Sequence, residues 1–441
     1  MAEAVEDQET MYKLIISQLR YDALDLIASS LAKCVGLEDL ALAPSSRLLE
    51  VLKLGLQEEK AGKEPEQRKL PGLTPTIQPE ATGLETNIKT GLDLEYEKEG
   101  YGTSPPVAQY ETHYVTAHKG PVTSAAFTPD GRLCATGSVD TSIKIIDISR
   151  MLAKAAQSQA ERQAERDADD GGGMKNHPVV RTMYDHDLAV NVIAFHPTTS
   201  VLVSGGEDRK VNLFDYTKST VKKAYKCIGE VESVRDISIH PSGDFLLVAT
   251  DHPTVRLYDL TTLQCYVSAN PEDQHTASLT SVRYCPAANL YVTASKDGSW
   301  KLWDGVSNRC VQTYRNAHDG AEIHSVRFTK NSKFVLTSGR DSTAKLWELS
   351  TGRAINTYGG AVIHNNNHAP AIFNYTEDYV MFPDEKNMAI GCWDSRTAEK
   401  LSSLSSGHNN AIRHLVHSTC APAFLSCSED YRARFWYCRD S

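Results

Sequence analysis

The chain has 441 residues, 41% of them hydrophobic and 23% charged, and a formal net charge of −10, the balance of a soluble globular protein long enough to bury a full core. No stretch approaches the ~18 consecutive apolar residues of a membrane span, and the acidic start Met1-Ala2-Glu3-Ala4-Val5-Glu6-Asp7 does not read as a secretory leader. Residues 1–109 carry 19 acidic and 11 basic side chains, a net of −8, while 110–441 carry 37 and 35, a net of −2. Neither part has the basic footprint of an autonomous nucleic-acid binder.

In chain order, the first predicted elements are helices over residues 9–57. Tyr12, Ile15, Ile16 and Leu19 recur at three and four, and Leu24, Ile27 and Leu31 continue the stripe. A second apolar run, 48–56, follows Pro44-Ser45, a helix start. Fewer than 60 residues make a poor core alone. Residues 1–57 are therefore expected to form a small α-helical self-association domain, with dimer contacts from Tyr12, Ile15, Ile16, Leu19, Tyr21, Leu24, Ile27 and Leu31. The pattern resembles the LisH type of dimerisation module. Docking onto a partner, or onto the rest of the chain, is the competing use of the same face. Residues 58–109 mix Glu, Lys, Pro, Gly and Thr without a sustained period and are expected to be a flexible linker.

From residue 110 onward the chain repeats. An apolar closing position followed in most copies by Asp recurs at Ile146, Phe214, Tyr258, Trp303, Trp347, Trp393 and Trp436. The gaps are 68, 44, 45, 44, 46 and 43 residues, and the long one holds an insertion near 151–177. Six residues before the closing position an aspartate recurs (Asp140, Asp208, Asp297, Asp341, Asp430), and ten before it a hydroxyl (Thr136, Ser204, Thr293, Thr337, Ser426). About 28 before it stands a histidine (His118, His186, His275, His318, His408). A period of about 44 with Trp-Asp pairs is the blade length of a WD40 propeller. The pattern resembles the Asp–His–Ser/Thr–Trp network of that fold, and seven copies fill 110–441 once the insertion is set aside.

The expected fold is thus an all-β, seven-bladed WD40 β-propeller over 110–441, preceded by the helical dimerisation domain. The aspartate is expected to fix the imidazole, which bonds the hydroxyl, which meets the indole N–H, so that no buried polar group lacks a partner. Complete latches are read in three blades: His275, Thr293, Asp297 and Trp303; His318, Thr337, Asp341 and Trp347; His408, Ser426, Asp430 and Trp436. Ile146 and Phe214 replace the indole in the first two blades. Blades three and six read as having lost the latch, with Glu230 for His and His252 for Asp in the third and Asn387 at the turn of the sixth. Such departures mark either a functional site or drift held in place by neighbouring blades. The last repeat ends at its third strand, so residues 110–116 are expected to supply its outer strand and close the ring.

Ser, His and Asp are also triad members, but recurrence in five blades points to a scaffold, since an enzyme needs one activated nucleophile. With no phosphate loop, metal-ligand cluster or lone nucleophile, an enzyme is not expected, nor is a metal or cofactor. The ten cysteines include no Cys-x-x-Cys pair and are read as reduced and mostly buried. The insertion Gln157 to Gly173 starts helix-forming and turns Gly-rich, a solvated loop or a docking element. Arg432, Arg434 and Arg439, beside the ring closure, are candidate partner contacts or simply a solvated cluster.

Several segments are more specific than a generic repeat. They include 11–19, 114–121, His240-Pro241-Ser242-Gly243-Asp244-Phe245, 296–310, Ala317-His318-Asp319-Gly320-Ala321-Glu322, 392–399 and 407–410. Together they closely resemble the family of WD40 subunits of cleavage stimulation factor, over nearly the whole chain except 58–90 and the insertion. The resemblance implies a nuclear, non-enzymatic scaffold in cleavage and polyadenylation of pre-mRNA 3′ ends. It implies a homodimer through the helices and a propeller that holds the largest, helical-repeat sibling subunit. It further implies a link to the RNA polymerase II C-terminal domain, with RNA contacted indirectly through the complex and no membrane. A substrate-recognition propeller of a ubiquitin ligase or chromatin complex is the alternative, because the fold alone does not fix the function.

Overall fold

The computed structural model describes residue 92 and residues 107–156, 177–217, 223–364 and 370–438. The chain divides into two compact units, Met1–Glu80 and Ala81–Ser441. All described residues fall in the second, so the predicted dimer residues Tyr12, Ile15, Ile16, Leu19, Tyr21, Leu24, Ile27 and Leu31, and also Arg439, lie outside the described residues.

The second unit is seven four-stranded antiparallel sheets, each a blade. Blade one takes Val122–Phe127, Leu133–Ser138, Ser142–Asp147 and Val179–Tyr184, from the inner strand to the outer. The second strands read as short unbroken apolar runs such as Phe245–Thr250, because neighbouring blades cover both of their faces. The outer strands vary in length, from seven residues in Glu111–Ala117 to two in Cys265–Tyr266 of blade three, where the shortness blunts the exposed edge.

Blade seven is completed by the first strand of the unit. Glu111–Ala117 pairs antiparallel with Arg432–Tyr437, with Thr112 opposite Trp436 and Val115 opposite Arg434. The core lies between blades: Val122, Cys134 and Ile146 of blade one pack with Leu425, Cys427 and Phe435 of blade seven.

Two segments differ from the expected linker and loop. Leu92 is buried at 2% exposure among Phe334, Tyr358 and Trp393, and Val107 and Tyr110 join the cluster of Ile412, Phe424 and Trp436. The linker therefore does not run freely to residue 109: its apolar residues find space against the blades. The insertion opens with a helix, Ile148–Ala156, whose Ile148 and Met151 are buried in the blade one–seven cluster. Its start is capped by Asp147, whose Oδ1 accepts the Arg150 N–H at 3.1 Å. Residues 157–176 of the insertion lie outside the described residues.

Candidate functional site

The turn between the second and third strands recurs with one geometry. The residue after the aspartate has positive φ in five blades: Thr141 (67°), Arg209 (62°), Gly298 (74°), Ser342 (63°) and Tyr431 (66°). Only Gly298 takes it without steric cost, the left-handed region costing other residues roughly 1–2 kcal/mol. The aspartate offsets that strain. Its Oδ1 accepts the N–H two residues on, at 2.9 Å in Ser142 and Ser299, 3.1 Å in Thr343 and Arg432, and 3.3 Å in Lys210. In blades one, two, four and seven Oδ2 also accepts the N–H of the residue after the histidine. One carboxylate thus ties the turn to the loop that enters the blade.

The expected latches assemble from these parts. His275 Nδ1 lies 3.1 Å from Asp297 and Nε2 2.8 Å from Thr293 Oγ1, which also accepts the Trp303 indole at 2.8 Å. His318 meets Asp341 at 2.9 Å and Thr337 at 2.8 Å, and Trp347 donates to Thr337 at 2.9 Å. His408 meets Asp430 at 3.0 Å and Ser426 at 2.8 Å, and Trp436 donates to Ser426 at 2.9 Å. In blade two His186 joins Asp208 and Ser204, with Phe214 packing where an indole would stand. Blade one is a variant: Ser142 Oγ sits between His118 Nδ1 (2.9 Å) and Asp140 Oδ1 (2.5 Å), leaving His118 and Asp140 3.5 Å apart.

Thr136, Ser204, Thr293, Thr337 and Ser426 are all 0% exposed, so no substrate reaches them. Burial, reinforced by Lys144 and opposed by Asp140, pushes His118 down to about 4. Burial likewise lowers His275 and His408 against the pull of their aspartates. Each holds a neutral imidazole that donates on one side and accepts on the other. Burial alone would raise the Asp297 carboxyl, but bonds from His275 and Ser299 hold it well below the usual range.

Blade three lacks the Asp–His latch, and a different set stands in its place. Glu230, its side chain 0% exposed, accepts from Arg256 and from the Tyr258 hydroxyl at 2.8 Å. Tyr258 is the closing residue, so a carboxylate–guanidinium–phenol set replaces Asp–His–Ser–Trp. Pro253 follows His252 and excludes the positive φ of the other turns. In blade six Trp393 is retained, but its indole donates to the Gly359 carbonyl at 3.1 Å, and Asn387 bonds Asp384 at 2.7 Å.

The partner-contact arginines separate. Arg432 is exposed on the outer half of blade seven, whereas Arg434 is half-buried and bonds the Gly407 carbonyl. A feature that sequence reading missed lies on the axis: a cavity of about 430 Å³ lined by inner strands. Arginines from four blades reach it. Arg235 pairs with Asp251 (2.5 Å), Arg283 with Asp236 (2.6 Å) and Arg413 with Glu429 (Nε–Oε1 2.9 Å). Arg327 has no ion pair among the described residues, and its Nε has no hydrogen-bond partner. The signal was available: Arg283 and Arg327 occupy the same inner-strand position, 44 residues apart.

Seven four-stranded blades, three of them locked by complete Asp–His–hydroxyl–Trp sets, define a WD40 propeller, and the WD domain, G-beta repeat model matches 109–147, 178–215, 222–259, 271–304, 308–348 and 399–437. Most of blade six falls outside those matches. The model of the cleavage stimulation factor subunit 1 dimerisation domain matches residues 3–60. Cleavage stimulation factor subunit 50 of Arabidopsis thaliana is 37% identical over 425 residues, covering 96% of this chain and 94% of that protein. Nuclear distribution protein nudF of Aspergillus flavus is 28% identical over 30% of this chain and 28% of its own length. Nuclear distribution protein PAC1 of Coccidioides posadasii is 26% identical over 44% and 50%. The chain belongs to the cleavage stimulation factor subunit 50 family, with its dimerisation domain and WD40 repeats. Neither family model is of an enzyme, and among the described residues no group of His, Cys, Asp or Glu is placed to hold a metal ion.

Proposed function

We propose that this chain is a non-enzymatic scaffold subunit of a nuclear cleavage stimulation factor complex, supporting pre-mRNA 3′-end cleavage and polyadenylation through protein–protein contacts. The observation that carries the reading is that likeness to the Arabidopsis protein spans nearly the whole chain, the segment matched by the dimerisation-domain model and the propeller together, where the nudF and PAC1 likenesses cover less than half of it. In this reading residues 1–57 pair two copies, the propeller holds the largest sibling subunit, and RNA is reached through the complex. The RNA polymerase II C-terminal domain is a further contact. The near-neutral charge of 110–441 suits a protein-binding propeller.

Affinity purification of the full chain from nuclear extract tests it. Recovery of the other cleavage stimulation factor subunits is expected; a ubiquitin ligase or chromatin complex instead would establish the alternative. Light scattering separates the dimer claim. The full chain should have the mass of a dimer, and a chain starting near residue 90, which keeps the buried Leu92, Val107 and Tyr110, that of a monomer.

A further inference from the structure

Blade six is not locked from within. Ten positions before its closing Trp393 stands Pro383, which has no hydroxyl, and His364, at the histidine's distance, is exposed. The indole is turned over Gly391 instead, where a Cβ would meet the ring at 2.4 Å, and donates to the Gly359 carbonyl as the chain leaves blade five. Among the described residues the inner strand of blade six is only Ile372–Phe373, where each other blade has six residues. A two-residue strand gives few ladder bonds and little apolar surface to its neighbours. Blade three, which also lacks the His–Asp pair, has Glu230, Arg256 and Tyr258 in its place.

The chain entering the propeller stands in both seams of blade six. On the blade-five side Leu92 shares a cluster with Phe334, Tyr358, Phe382 and Trp393. On the blade-seven side Val107 and Tyr110 share one with Met381, Ile390 and Phe424. Polar and ring contacts follow the same path across the first turns of blades five, six and seven. Lys330 Nζ donates to the Tyr375 carbonyl at 2.6 Å, the Tyr375 ring stacks on His417 at 5.8 Å, and His417 Nε2 lies 3.2 Å from the Tyr110 hydroxyl. Glu377, in the turn of blade six, is buried and holds a φ of +62° while its carboxylate takes the Leu92 N–H. The left-handed region is costly for a glutamate, and its bond to a segment outside the repeats offsets that cost. We propose that Leu92, Val107 and Tyr110 act as a strap in place of the missing latch, so that strap and blade six form one opening unit. Withdrawal of the strap loosens blade six while the latched blades stay closed. A partner that captured the segment around Leu92 would thus reshape one blade and spare the rest of the ring. The device is independent of which complex the chain serves.

Hydrogen exchange of the full chain, followed by mass spectrometry in low urea, tests it. In the unsubstituted chain the amides of 107–110 and 379–394 should lose protection together, with one urea dependence, before those of blades two and four. Leu92→Ala should speed exchange in 379–394 at least ten-fold and leave 201–215 of blade two unchanged. Thr293→Val, which breaks the blade-four latch, is the control and should leave 379–394 unchanged. Leu92→Val serves if the alanine variant does not fold, with a smaller change in the same segment. The proposal is overturned if the strap opens while blade six stays protected, or if blade six opens no earlier than blade four. It is equally overturned if the Leu92 variants speed all blades alike or leave blade six unaltered, or if Thr293→Val loosens blade six as they do.

Discussion

The backbone N–H of Leu92 donates to Glu377 Oε2 at 2.7 Å across 285 residues of sequence. The other oxygen of Glu377 accepts the Lys330 N–H at 2.6 Å, and Asn331 Nδ2 donates to the Leu92 carbonyl at 2.6 Å. Blades five and six thus treat Leu92 as part of their own edge. Leu92→Ala should cost about 2–4 kcal/mol, as for a buried leucine elsewhere. Denaturation followed by tryptophan fluorescence reads it, since Trp393 is in the same cluster. A change below about 0.5 kcal/mol, the size of an ordinary surface substitution, would mean that Leu92 rests on the propeller without supporting it.

The latches differ in what one substitution orphans. Thr337→Val strips the partner from both His318 Nε2 and the Trp347 indole, with a loss of about 1–3 kcal/mol for each buried group left unsatisfied. Ser204→Ala removes a partner from His186 alone, because Phe214 has no N–H, and His186 Nε2 keeps Asn212 Nδ2 at 3.5 Å. The blade-five variant should therefore be the less stable, and equal urea midpoints would contradict the shared role of the hydroxyl.

In blade three, Glu230→Gln leaves Arg256 largely buried without its counter-charge and should cost about 3–5 kcal/mol. Replacing both partners by apolar residues, Glu230→Leu with Arg256→Met, should recover most of that loss. The double-mutant cycle is the measurement, and additive single losses would show that the pair is not coupled.

Acid should destabilise the propeller in two stages. His118 and His417 are held down at about 4 and His414 at about 3, burial being the main cause in each. Between those values and the ordinary histidine value of 6.5, the unfolded chain binds protons that the folded one refuses, so stability falls as pH drops through 6.5 and levels near 4. Asp297, Asp341 and Asp430 are held below the ordinary carboxylate value, so their contribution is lost only below about pH 4. Melting temperature should decline from pH 7 to pH 4.5, before the carboxylates titrate. A flat profile there would mean that the buried imidazoles are protonated in the fold.

The blade count and most latches are legible in the sequence because the network fixes spacings: an Asp must sit six residues, and a hydroxyl ten, before the indole it serves. Blade three is not, because Glu230, Arg256 and Tyr258 fill the same space with a different chemistry, and a search for His and Asp registers only their absence. The axial arginines belong to separate repeats and meet only when the ring closes, so no local window contains them. Leu92 lies among scattered apolar residues such as Ile88, Leu94 and Tyr96 that follow no sustained period, so periodicity has nothing to grip there. Arg434 looks like its exposed neighbour Arg432 until the Gly407 loop folds over it.

The pairing of Glu111–Ala117 with Arg432–Tyr437 sets a condition on synthesis. The two strands are separated by some 315 residues, and at ~5–20 residues per second the first waits roughly 15 to 60 seconds for the second to be made. Throughout that interval a strand with exposed backbone groups is open to mispairing, with a neighbouring nascent chain or with an inner blade. A ribosome that stalls, or a premature stop anywhere before the final repeat, leaves the earliest-made strand without its mate. The quality of the whole ring is thus decided by its last few codons.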